Sequence, residues 1–215
     1  MTISVAQAVE KNTLSSTITA TGGTGDRALV VCVNSYNATN AGSISSVKLG
    51  TTNLVQAVTS TDTSDGFETS WIYYLLGIAS GQTSVVVAGS NLSVAATDGG
   101  IYIAEVSGLA LSAALDKTAA NNAANTSYTV SSGTLSQADE FVIGTGDGIS
   151  LANASGWTAI GTPNGSVCGY KIVSATTGQT FSGTAGGPGW CAAIASFKAP
   201  STNTNKAVAA IASML

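Results

Sequence analysis

Histidine is absent from the chain. Its absence removes the commonest general base near neutral pH and the commonest metal ligand, so a Ser-His-Asp triad and a zinc site of the usual type are excluded. Charge is scarce as well: Asp, Glu, Lys and Arg together make up 8% of the 215 residues, against about 25% in an average soluble domain. Seven basic residues face eleven acidic ones for a net charge of −4, and Lys11, Arg27, Lys48, Lys117, Lys171, Lys198 and Lys206 are scattered with no two adjacent. Nucleic acid needs clustered positive charge that displaces counterions from phosphates, so DNA and RNA are not expected partners. No apolar run approaches the roughly 18 residues of a membrane span, and residues 1–12 have neither the basic nor the long apolar region of a secretory signal. The chain reads as one that is made and kept in solution, with no membrane partner.

Cysteine is sparse and odd in number. Cys32, Cys168 and Cys191 all lie in apolar, strand-like contexts, where a thiol behaves as a small hydrophobe. Reduced, buried thiols are the favoured reading. A Cys168–Cys191 disulfide stays open if their strands are neighbours, because spacing alone does not settle connectivity. At this length a folded chain buries roughly 70% of the surface its unfolded form exposes, so neither disulfide nor structural metal is needed for stability.

What the sequence does have is strand and turn. Short apolar runs at 28–33, 47–58, 71–78, 84–88, 100–106, 140–143, 167–173 and 190–197 have the length and β-branched content of strands. The run at 28–33 is continuously apolar and is expected to be covered on both faces. Glycine clusters at 22–26, 144–148 and 186–189 read as turns. Only residues 108–125 and the last ten have a helix-tolerant, Ala-rich composition. Many short strands without βαβ alternation predict an all-β fold, an antiparallel β-sandwich of jelly-roll-like kind.

The strand pattern also repeats. The stretch from Tyr74 to Thr83 is echoed from Tyr170 to Thr180, each leading to a small-residue strand at 101–106 or 192–197, and 28–33 has its counterpart at 139–144. Two duplicated halves are expected to form a single β-sandwich domain over 1–199. Residues 200–215 form a polar spacer and a short tail. Val208, Ile211 and Leu215 there fall at i, i+3 and i+7, so a helix would have one apolar face needing a partner, and these three are candidate assembly contacts.

Candidate chemistry is thin. Glu68, Glu105, Asp139 and Glu140 are the acids available for a paired-carboxylate hydrolase. Glu105 sits inside an apolar strand, where an ion pair with Arg27 or a lysine is the simpler account. The acids at 62, 65 and 68 lack the alternate-position spacing of a calcium loop. The Gly144-x-Gly-x-Gly148 run has no helix after it to hold phosphate, and it is expected to be a hairpin or loop. No cofactor and no metal are therefore expected. Trp71 and Trp190 lie in strand patterns and are expected in the core, while Trp157, between Gly156 and Thr158, is the candidate glycan contact.

An Ala-Leu-Val-Val strand at 28–31, Ser-Val-Lys-Leu-Gly at 46–50, Trp-Ile-Tyr-Tyr at 71–74, Gly-Gln-Thr at 81–83 before a Val-rich strand, and Ile-Ala-Glu-Val-Ser-Gly at 103–108 form a succession. With Gly156-Trp157-Thr158 and the closing strand at 192–198, it resembles β-sandwich domains of tailed-bacteriophage virion proteins and some bacterial surface proteins. The resemblance covers roughly residues 25–199 and transfers no site residue. It implies a non-enzymatic structural protein, made in the host cytoplasm and located in the virion, either capsid decoration or a minor head or tail component. Its partners would be capsid or tail subunits and further copies of itself. Low surface charge suits a subunit covered by neighbours. The alternative is a glycan-binding module, receptor-binding or adhesin-like, using Trp157.

Overall fold

Ala28 to Val33 contains no polar residue because both faces of its strand are buried: Leu29, Val31 and Val33 enter one apolar core and Ala28, Val30 and Cys32 another. That strand belongs to a computed structural model that describes residues 2–19, 24–64, 66–81, 84–94, 99–161 and 165–201. The first half contributes β1 (Ser4–Lys11), β2 (Ser15–Thr17), β3 (Thr24–Asn37), β4 (Ser43–Leu49), β5 (Thr52–Asn53), β6 (Val55–Asp62), β7 (Phe67–Ala79), β8 (Ser84–Ser90) and β9 (Gly99–Ser107). The second contributes β10 (Leu115–Asn122), β11 (Ser127–Ser131), β12 (Glu140–Gly148), β13 (Thr158–Ala159), β14 (Ser166–Val173), β15 (Thr180–Thr184) and β16 (Trp190–Lys198). Among the described residues there is no helix.

The strands form four antiparallel sheets. Sheet I has the order β1-β9-β3-β7-β6, sheet II β2-β8-β4-β5, sheet III β10-β16-β12-β14-β13 and sheet IV β11-β15. Replacing each strand of sheet I by its counterpart in chain order reproduces sheet III, and β2-β8 likewise corresponds to β11-β15. The repeat read from the sequence is thus a duplication of topology, in which 28–33, 74–83 and 101–106 match strands β12, β14 and β16. The one addition is β4-β5, which widens sheet II and has no counterpart in sheet IV.

Three apolar cores stack the sheets in the order II, I, III, IV. Between II and I lie Leu29, Val31, Val47, Leu49, Trp71 and Val85. Between I and III lie Val30, Ile72, Tyr102, Phe141, Cys168 and Phe197. Between III and IV lie Tyr128, Val142, Phe181, Trp190 and Ile194. The middle layer is rich in aromatic contacts, with Tyr74 edge-on to Phe197 at 5.3 Å and Phe141 5.7 Å from Tyr170. The antiparallel β-sandwich character expected is present, but each half closes its own sandwich and the two pack through equivalent sheets, where one larger sandwich was expected.

Three local readings are revised. Gly144, Gly146 and Gly148 do not form a loop but lie within β12, the central strand of sheet III. The Phe181 ring packs directly over Gly144, in the space a Cβ would fill, so glycine here makes room for an aromatic ring. Residues 115–122, within the Ala-rich stretch, are the edge strand β10. Pairing with β16 overrides their weak helical preference. The turn expected at 22–26 ends sooner, since residues 24–26 already belong to β3.

Candidate functional site

The four acids considered for hydrolysis do not converge. Glu68 is opposite Tyr36 on β3, whereas Glu105 is opposite Leu29 on the same strand, which separates them by seven residues, or about 23 Å. Glu105 is fully buried, with Arg27 Nη1 donating to its Oε1 at 3.1 Å and Gln7 Nε2 donating to its Oε2. The ion pair with Arg27 expected from the sequence is present. Asp139 is exposed, with φ of 56°, while Glu140 beside it points into the fold and is fully buried.

Glu140 meets Asp116, an acid the sequence reading missed. Asp116 sits in the bulge of β10 opposite Ser196, and Ser196 is opposite Val142, so the three side chains share one corner of sheet III. The duplication places Gln7, Arg27 and Glu105 at the same corner of sheet I. Burial pushes Glu140 above the usual carboxylate range and the neighbouring Asp116 adds to it, while Ser196 pulls the other way. Burial acts to raise Asp116 too, but the hydroxyl and backbone N–H of Ser136, donating at 2.5 and 2.8 Å, outweigh it and hold that carboxyl low. Lys198 Nζ stands 4.0 Å from Asp116 Oδ1. The two close carboxyls are thus shifted in opposite directions, Glu140 up and Asp116 down.

Trp157 is half-buried on the outer face of sheet III. Its ring stands perpendicular to Phe181 at 5.0 Å, and Lys171 Nζ lies 4.9 Å from its ring centroid. Its indole N–H donates to the Thr180 carbonyl at 3.1 Å. Because Ala185 N–H bonds Thr126 and Ser132 N–H bonds Gln179, Thr180, Ser182 and Thr184 of β15 direct their backbone groups away from β11. In the first half β4 pairs with the equivalent edge of β8. Here Ala152 N–H takes the Thr184 carbonyl and Trp157 the Thr180 carbonyl, so this segment closes an edge that would otherwise be open to pairing. Trp71 and Trp190 are buried, as expected, with Trp190 Nε1 donating to Asn125.

Cys32, Cys168 and Cys191 are all free and buried. Cys168 on β14 and Cys191 on β16 are separated by β12, so the pairing left open for them does not form; the neighbour of Cys168 is Cys32, across the middle core. Burial raises the Cys32 and Cys191 thiols well above their ordinary value, the mark of inert thiols. No cluster of metal-ligating side chains occurs among the described residues. Asp62 instead accepts from the backbone and hydroxyl of Ser64. Val208, Ile211 and Leu215 lie outside the described residues.

No family model matches the chain, and no curated protein does. A crystal structure of a conserved protein of unknown function from Pseudomonas aeruginosa is similar over 90% of this chain and 80% of its own, at 12% identity and a TM-score of 0.29. A likeness of that size carries no argument.

Proposed function

We propose that this chain is a non-enzymatic structural protein of a tailed-phage virion, decorating the capsid or serving as a minor head or tail component, and acting as an oligomer. The observation that carries the reading is where the acids lie: Glu68, Glu105, Glu140 and Asp147 are each no more than 1% exposed. The exterior is rich in neutral Ser, Thr, Asn and Ala side chains with charges thinly spread among them, a surface with little charge repulsion between copies. Val208, Ile211 and Leu215 are proposed as assembly contacts on the strength of their spacing.

The test is immunogold labelling of virions from the source strain together with light scattering of the purified protein. Gold on heads or tails and a defined oligomer are expected. Label confined to the soluble fraction, with a monomer at every concentration, overturns the reading. Deleting residues 202–215 should leave the melting temperature nearly unchanged while preventing incorporation.

The second reading, a glycan-binding module, draws support from Trp157, whose half-exposed ring stands at a sheet edge. A glycan array compared with Trp157→Ala tests it. Lys171 covers one ring face, so a sugar must displace it to stack.

A further inference from the structure

The hairpin β4-β5, which widens sheet II, forms one wall of a cavity. Where this hairpin stands beside β6, a solvent-open cavity of about 340 Å³ is lined by Ser45, Ser46, Asn53, Leu54, Gln56 and Tyr73, with Ile44 and Val47 completing it. Its volume lies at the small end of ligand-binding cavities, which run about 300–1,000 Å³. No charged side chain lines it. Its polar members are two primary amides, two hydroxyls and a phenol, and its apolar members are Ile44, Val47 and Leu54, the last two buried.

Ser45 donates to the Ala88 carbonyl at 3.1 Å, and two of the other polar groups are fixed by each other. Tyr73 is 6% exposed and its hydroxyl donates to Gln56 Oε1 at 2.8 Å, which leaves the phenol oxygen able to accept and the Gln56 amide N–H groups able to donate. Gln56 and Asn53 are exposed at the mouth. Neutral donors and acceptors in pairs beside an apolar wall match a molecule with hydroxyls on its rim and C–H groups on its face. They offer no counter-charge for an anion or a cation.

We infer that this cavity is a binding site for a neutral sugar, accommodating one hexose unit. The inference rests on the glycan-binding reading and adds to it a site on the β4-β5 hairpin of the first half, separate from Trp157 in the second.

The experiment screens the full chain on an array of neutral and acidic glycans, then follows the best neutral ligand by NMR titration. Gln56→Ala, Asn53→Ala, Trp157→Ala and Leu111→Ala are compared. Binding of a neutral hexose-terminated glycan, weakened at least tenfold by Gln56→Ala and by Asn53→Ala with an unchanged melting temperature, is expected. Leu111→Ala, at an exposed side chain outside the cavity, should leave it within twofold. Binding lost in Trp157→Ala and kept in Gln56→Ala and Asn53→Ala overturns the cavity while sparing the glycan reading. An array blank for neutral glycans overturns both, and a preference for acidic glycans overturns the cavity assignment.

Discussion

Asn34 on β3 and Thr145 on β12 join the two halves inside the protein: the Asn34 amide donates to the Thr145 hydroxyl at 2.8 Å, and both residues are fully buried. The same amide nitrogen also donates to the Gly146 carbonyl at 3.0 Å, and the Thr145 hydroxyl donates to the Val167 carbonyl at 3.0 Å. Tyr102 and Ser166 make a second such link at 2.7 Å. One end of the middle core thus carries polar links between the halves, the other aromatic contacts. Asn34→Ala should cost about 1–3 kcal/mol, since it strands buried partners that water cannot reach. Urea unfolding followed by tryptophan fluorescence measures it, and a loss below about 0.5 kcal/mol, the usual size of a surface change, would show the link to be incidental.

Gly144 and Phe181 predict a compensating pair. Gly144→Ala puts a methyl group into the Phe181 ring and should cost about 1–3 kcal/mol as overpacking. Adding Phe181→Leu should recover part of that loss, although Phe181→Leu alone destabilises. Purely additive costs in a double-mutant cycle would refute direct contact.

Glu140 and Asp116 set opposite pH dependences. Glu140 is raised in the folded state, so its contribution is intact below the ordinary glutamate range and is lost as pH rises through the raised folded value. Asp116 is lowered, so its contribution holds above the ordinary aspartate range and is lost as pH falls through the lowered folded value. Glu140→Gln keeps the shape of the neutral acid without the ionisation. Its melting temperature relative to the parent should therefore climb between pH 4 and pH 8, and a difference that is flat with pH would count against a raised Glu140.

Residues 1–108 expressed alone should self-associate. They would expose the face of sheet I that holds Val30, Cys32, Ile72, Tyr102 and Val106, all fully buried or nearly so in the intact chain. Contiguous apolar surface of that kind marks an interaction or aggregation site. Light scattering decides the matter: a soluble monomer with a cooperative melt would mean that the first sandwich is independent and that the single-domain reading of 1–199 fails.

The fold was legible in the sequence wherever burial and strand chemistry agree. The unbroken run at 28–33 announced two covered faces, and the recurrence at 139–144 announced the duplication. Glu105 in an apolar strand pointed to its pairing with Arg27. Legibility failed where one residue type serves two ends. Gly144 and Gly146 carry the composition of a turn, and only Phe181, far along the chain, explains why they sit in a central strand. The Asp116 bulge lies in a stretch whose alanines suggest helix, so its approach to Glu140 had no local signal. Trp157 is half-buried rather than exposed, and the edge carbonyl it caps belongs to a strand 23 residues away, for which the sequence had no local signal.

Sheets I and III meet through the same face of equivalent strands, which is the defining property of an isologous contact. Two copies of a single sandwich, placed face to face by a two-fold rotation, would generate the same middle core. Joining them in one chain removes the need for the copies to remain identical. The first sandwich has grown a hairpin over its outer flank, while the second has closed its equivalent edge with an indole. The strand order is kept in the two sheets that touch, and the hairpin and the indole set the two outer flanks apart.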